Sequence, residues 1–181
     1  FFLNAIYLQS HLNLSSVHVG NMFVLQGIGY FIASLFSVRM VMKYNYKVML
    51  GGSCIMIVAL VLHICYFTSE HISSFLIYLI LFLYGIGCGT MLPSMMTMAL
   101  RKISSDLTAS ASGVYLTVQQ ASIALGVSII GGIFFRLLGK EGDILKATVA
   151  YHYSTYANIA SLIIVGGIFL FLSSRRNRAN E

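Results

Sequence analysis

"GVYLTVQQASIALGVSIIGG", residues 113–132, decides how the chain is read. The stretch holds no Asp, Glu, Lys or Arg. A helix rising about 1.5 Å per residue over that length spans roughly 30 Å, the thickness of a bilayer's hydrocarbon core. A soluble helix would turn a charged face to water. This one offers only hydroxyls and two adjacent amides, Gln119 and Gln120, near its middle. It reads as a transmembrane helix with a polar feature inside the membrane.

The rest of the chain agrees. Of its 181 residues, 58% are hydrophobic and 9% charged, with a mean hydropathy of +0.86, whereas soluble domains carry roughly a quarter charged residues. Apolar runs recur between short polar joints. They predict one partial span over 1–9 and five complete ones near 19–38, 48–67, 75–100, 109–138 and 157–172, forming a single all-α membrane domain over residues 1–181. The start at Phe1-Phe2-Leu3, inside an apolar run and without an initiator methionine, predicts a piece of a longer protein. Cys54, Cys65 and Cys88 all lie in apolar runs, and an odd set so placed predicts small buried residues, not a disulfide framework.

The net charge of +6 does not point to nucleic acid, because the basic residues flank hydrophobic segments and form no stripe with interleaved aromatics. Their positions set topology. Taking the joints alternately, one set carries Arg39, Lys43, Lys47, Arg101, Lys102, Arg175, Arg176 and Arg178, eight of the eleven basic residues; the other holds Arg136, Lys140 and Lys146. The positive-inside rule makes the first set cytoplasmic, predicting a multi-pass protein of the cell membrane with a cytoplasmic C-terminus. All five acids, Glu70, Asp106, Glu141, Asp143 and Glu181, fall in joints or the tail. No span offers a mid-membrane carboxylate for proton or ion transfer.

Within the spans, "YGIGCGTMLP" (84–93) puts Gly85, Gly87 and Gly89 at alternate positions ahead of Pro93. No strand or ribose-binding acid accompanies them, so a nucleotide loop is excluded; the glycines predict close helix packing, and Pro93 a bend. On the 113–132 helix, Gly113, Thr117, Gln120, Ala124, Ser128 and Gly131 share one side, with Gln119 at its margin. Unpaired amides in hydrocarbon are costly, so Gln119 and Gln120 either bond neighbouring helices or line a wet cavity. Gln26 and Tyr30, four residues apart, give the second span a polar stripe of its own. His63, alone in the third span, reads as a hydrogen-bonded packing residue. His11, His18, His71 and His152 read as surface residues. Cys54 and Cys65, eleven residues apart, are roughly 16 Å apart along the axis and too far to share a metal. Neither a Ser-His-acid set nor paired carboxylates can be assembled in the membrane, so an enzyme is not expected, and no cofactor is implied.

"YLQSHLNLSSVHVGNMFVLQGIGYFIASLFSVRMVMKYNYK" is similar to the seventh and eighth core helices of the major facilitator superfamily and the loop after them. "FLYGIGCGTMLPSMMTMAL" and "SASGVYLTVQQASIALGVSIIGGIFF" resemble its tenth and eleventh, in the EmrB/QacA-like drug:proton antiporter branch. The resemblance implies a C-terminal six-helix bundle, first helix partial, facing a missing N-terminal half across a central cavity and exchanging small amphipathic substrates for protons by alternating access. It implies cavity positions at Gln26, Tyr30, Thr117, Gln119 and Gln120, and a cytoplasmic gating loop carrying Arg39, Lys43 and Lys47. The family often has arginine where Gln119 stands, and this loop lacks the Gly and Asp of the fuller first-half motif. Two other readings use the same residues: a nontransporting module whose polar faces pair with another membrane protein, and a facilitator uniporter of the same fold.

Overall fold

The computed structural model describes residues 2–10, 14–67, 73–139 and 144–178. His11, His71, Lys140, Glu70, Glu141, Asp143 and Glu181 lie outside the described residues. Six helices follow one another: α1 (Phe2–Ser10), α2 (Ser16–Tyr44), α3 (Tyr46–Tyr66), α4 (Ser74–Leu100), α5 (Ser105–Leu138) and α6 (Ile144–Arg178). The last five are long and apolar enough to cross a membrane, and α1 supplies the partial span. Among the described residues no strand occurs.

Two helices run beyond the apolar windows. α6 begins at Ile144, well before 157, because Ala147, Ala150, Tyr151 and Ser154 recur at steps of 3, 1 and 3 and are all buried. That is the spacing of one helix face; its Tyr, Ser and Thr content hides it from a hydropathy window. The joint at 39–47 is likewise helical, not a loop. Arg39 and Lys43 ride the last turns of α2, held down by fully buried Val41, and Lys47 lies in the first turn of α3. The break is Asn45 alone, with φ 52° and ψ −133°, a positive φ that asparagine tolerates better than most residues. Its N–H donates to the Val41 carbonyl at 2.8 Å.

α4 is the centre of the bundle, packed on α2 along one side and on α3 along another. Residues two apart on a helix point about 200° apart, so the alternating glycines serve two partners. Cβ atoms at Gly85 and Gly89 would collide with the α2 backbone at Gln26 and Tyr30, and one at Gly87 with Met56 and the Gly52 carbonyl of α3. Gly29 of α2 completes the first seam against Phe82 and Ile86. Lipid gives apolar helices no reason to associate, so van der Waals contact along such seams supplies the attraction. α4 continues through Pro93, whose ring leaves the Gly89 carbonyl without its usual i+4 donor.

At one end of the bundle α1 is wedged among α2, α5 and α6, with Tyr7 and Leu8 buried in a cluster that includes Met22, Phe67, Leu81 and Phe134. A directed chain of hydrogen bonds runs through it. The Tyr151 hydroxyl donates to Asn4 Oδ1 at 2.9 Å, Asn4 Nδ2 donates to His63 Nε2 at 3.1 Å, and His63 Nδ1 faces the Ala59 carbonyl. A carbonyl only accepts, so the imidazole carries its proton on Nδ1 and each of its nitrogens is satisfied. His63 is therefore tied into the packing of α1, α3 and α6.

The joints gather at two opposite ends. Arg101, after α4, donates to Asn45 Oδ1 at 2.7 Å, which unites two of the basic joints. At the other end His18 meets Tyr78, and Phe67 stacks on Tyr151. The bundle thus has one strongly basic end, as the alternating joints predict. Cys54 and Cys65 are exposed on α3 and only Cys88 is buried, because in a bilayer an apolar residue can face lipid as readily as protein.

Candidate substrate cleft

α5 stands away from most of the bundle. It leans on α6, touches α4 and α1 more lightly, and buries only Gly131 and Phe134. Asp106 in its first turn and Arg136 in its last each match the adjoining helix-dipole end. The gap between α4 and α5 is a cleft of about 360 Å³ lined by Leu92 and Met95 of α4 and by Tyr115, Val118, Gln119, Ser122 and Ile123 of α5. Ile123 also borders a second cleft, of about 280 Å³, that reaches Phe2, Gly131 and Asn158.

Gln119 is half-buried in the first cleft and makes no hydrogen bond to another described residue. Gln120, turned about 100° away, is exposed, and so is Thr117, whose hydroxyl donates to the Gly113 carbonyl at 2.9 Å. The amide expected at the margin of the polar face is thus the one that enters the cleft. Tyr115 and Met95 line the same space and escape a reading based on the two amides. Tyr115 stands one turn before Gln119, and that spacing is the signal for it.

The α2 residues behave differently. Gln26, expected on the cavity wall, is fully buried, its backbone carbonyl against Gly85 and neither side-chain amide atom hydrogen-bonded. The reason is the glycine seam, which draws α4 over this part of α2. Tyr30 is 37% exposed, but α2 and α5 make no contact, so it does not join the α5 residues. Arg39, Lys43 and Lys47 are exposed at the basic end, and the Lys43 ammonium lies 5.2 Å from the ring of Tyr44.

An open cleft with an amide bonded to no other described residue, set among apolar spans, suits a wall that meets solutes. The whole chain, residues 1–181, matches the family model of the Major Facilitator Superfamily. The chain belongs to this superfamily. Its members are transporters, so the family points away from an enzyme. Over 164 residues, 91% of this chain and 34% of the relative, it is 26% identical to a putative multidrug resistance protein, MdtD, of Klebsiella pneumoniae. A stretch of 57 residues, 32% of the chain and 10% of the relative, is 37% identical to a probable actinorhodin transporter of Streptomyces coelicolor. The chain spans about a third of the length of the MdtD proteins it matches. No solved structure is significantly similar to it.

Proposed function

We propose that residues 1–181 form the C-terminal half of a drug exporter of the EmrB/QacA-like branch, which moves small amphipathic molecules out of the cell by alternating access coupled to protons. The observation that carries this reading is the apolar α4–α5 cleft, into which Gln119, bonded to no other described residue, projects from near the middle of the membrane-length α5. A static packing helix would bury that amide or bond it to a neighbour. The multidrug and antibiotic-transporter relatives support the choice of solute.

In this reading Thr117, Gln119 and Gln120, with Tyr30 on α2, belong to a wall that the N-terminal half completes. Arg39, Lys43 and Lys47 stand at the cytoplasmic end, where exposed cations can meet acidic or helix-end partners on that half as the gate closes. The C-terminus is cytoplasmic, by the excess of basic residues at its end of the bundle. The acids that carry protons belong to the other half, because every acid of this chain lies in a joint, in the tail or, like Asp106, in the first turn of a helix.

The test uses the full-length protein, expressed in cells stripped of their other exporters and loaded with a panel of neutral and cationic amphipathic dyes. Expression should speed dye loss, and a protonophore should stop it. Retention matching empty-vector cells across the panel would end the export reading. Extrusion that persists with the protonophore would remove proton coupling from it.

A further inference from the structure

We infer that the α4–α5 cleft is a subsite for an uncharged, flat apolar molecule bearing a hydrogen-bonding oxygen, held by the Tyr115 hydroxyl and the Gln119 amide. The inference rests on the export reading for its physiological role and on the cleft alone for its chemistry. Seven residues line the space, and none carries a charge at neutral pH. The only other polar side chain among them, Ser122, already donates its hydroxyl hydrogen to the Val118 carbonyl at 2.8 Å. Tyr115 and Gln119 are bonded to no other described residue. Four positions apart, they share a face of α5 about 6 Å apart along its axis. Together they offer a phenolic donor and an amide that both donates and accepts. Tyr115 adds a flat ring and Met95 a polarisable, adaptable side chain opposite it, a pair suited to an aromatic surface. At about 360 Å³ the cleft lies at the lower end of the range for small-molecule sites.

The charges argue for neutrality. On α5 the charged residues described are Asp106 and Arg136, about 20 and 25 Å along the axis from Gln119. On the α4 side the first charge is Arg101, whose guanidinium is bonded to Asn45. An ion entering the cleft would shed water with no countercharge to replace it, and a cation would also approach another cation. A neutral amphipath gives up only hydrogen bonds that Tyr115 and Gln119 can restore.

Two dyes of one skeleton test this: Nile red, uncharged with a ring carbonyl, and Nile blue, its cationic amino analogue. In the full-length protein with its native cysteines replaced by serine, Ser122→Cys places a thiol in the cleft, and maleimide labelling in membranes reads occupancy whether or not transport occurs. Nile red should protect this thiol at concentrations at least about tenfold below Nile blue. Tyr115→Phe and Gln119→Leu should each raise the half-protecting concentration of Nile red about 3- to 10-fold, the worth of one hydrogen bond. Gln119→Glu should shift protection toward Nile blue. Protection by Nile blue at equal or lower concentration, protection by neither dye, or no effect of Tyr115→Phe and Gln119→Leu would overturn the inference. Protection by Nile red in a protein that exports no dye would leave the subsite standing and remove the export reading.

Discussion

Gly29 and Gly27 lie two residues apart on α2, yet their surroundings are opposite. A Cβ added at Gly27 meets nothing within 4 Å. One added at Gly29 would lie 2.5 Å from the Phe82 carbonyl oxygen, 3.1 Å from its ring and 3.3 Å from the Ile86 nitrogen, where ordinary contact begins at 3.4 Å. Two of those three atoms are backbone, so the strain cannot be relieved by turning a side chain. To admit one methyl, α2 and α4 must part by about 0.9 Å at this point, and the neighbouring contacts at Gly85 and Gly89 loosen with it. Overpacking of this kind costs about 1 to 3 kcal/mol. Both substitutions gain the same helix propensity, about 1 kcal/mol at most, so their difference isolates the seam. In the full-length protein in detergent, Gly29→Ala should lower the midpoint of thermal unfolding clearly below that of Gly27→Ala, which should match or exceed the parent. Equal midpoints for the two variants would refute the claim that glycine contact joins α2 to α4.

Three further outcomes are expected. Asn4→Leu removes the link between Tyr151 and His63 and strips the buried His63 Nε2 of its hydrogen bond, a loss costing about 1 to 3 kcal/mol; thermal unfolding should fall, and an unchanged midpoint would show that the network does not hold α1 in place. Gln26→Leu replaces an amide whose two polar atoms are buried without partners, so stability should hold or rise by up to about 2 kcal/mol, and a loss like that of Asn4→Leu would contradict the unbonded environment. For topology, single cysteines at Lys47 and Lys102 in a cysteine-free background should react with a membrane-impermeant maleimide from the same, cytoplasmic side, and one at Gly139 from the other; labelling of Lys47→Cys and Lys102→Cys from opposite sides would break the two-ended arrangement.

The number and order of the spans were legible because in hydrocarbon the backbone must satisfy its own hydrogen bonds, which ties an apolar run of about twenty residues to a helix. The basic end was legible for a related reason, since charge in mid-membrane is costly and collects in the joints and the terminal turns of the helices. Polar residues near span ends were less so. Tyr151, Ser154 and Thr155 depress the hydropathy at the start of α6, yet all three are buried; two of them find hydrogen bonds, Thr155 to the Tyr151 carbonyl at 2.8 Å and Tyr151 to Asn4 of α1, while the Ser154 hydroxyl is buried with no partner among the described residues.

What covers each face was the hardest to read. In water a helix's apolar stripe names the side that meets the core, but in a bilayer lipid and protein are equally apolar, and periodicity gives an angle without an occupant. Cys54 and Cys65 therefore face outward from runs that read as core. Gln26 and Tyr30 share a stripe by spacing, yet one is buried and the other is not. The glycines decide between them: Gly85 brings α4 onto the backbone at Gln26, and Gly89 brings it onto that at Tyr30. With α4 drawn equally close to both backbones, Tyr30 keeps 37% of its surface exposed while Gln26 keeps none. The residues that place a polar group at a membrane cavity or bury it are thus the small ones on the neighbouring helix, and the seam at Gly85 and Gly89 fixes α4 against α2 while the turns of α4 that follow it, at Leu92 and Met95, stay open toward Gln119.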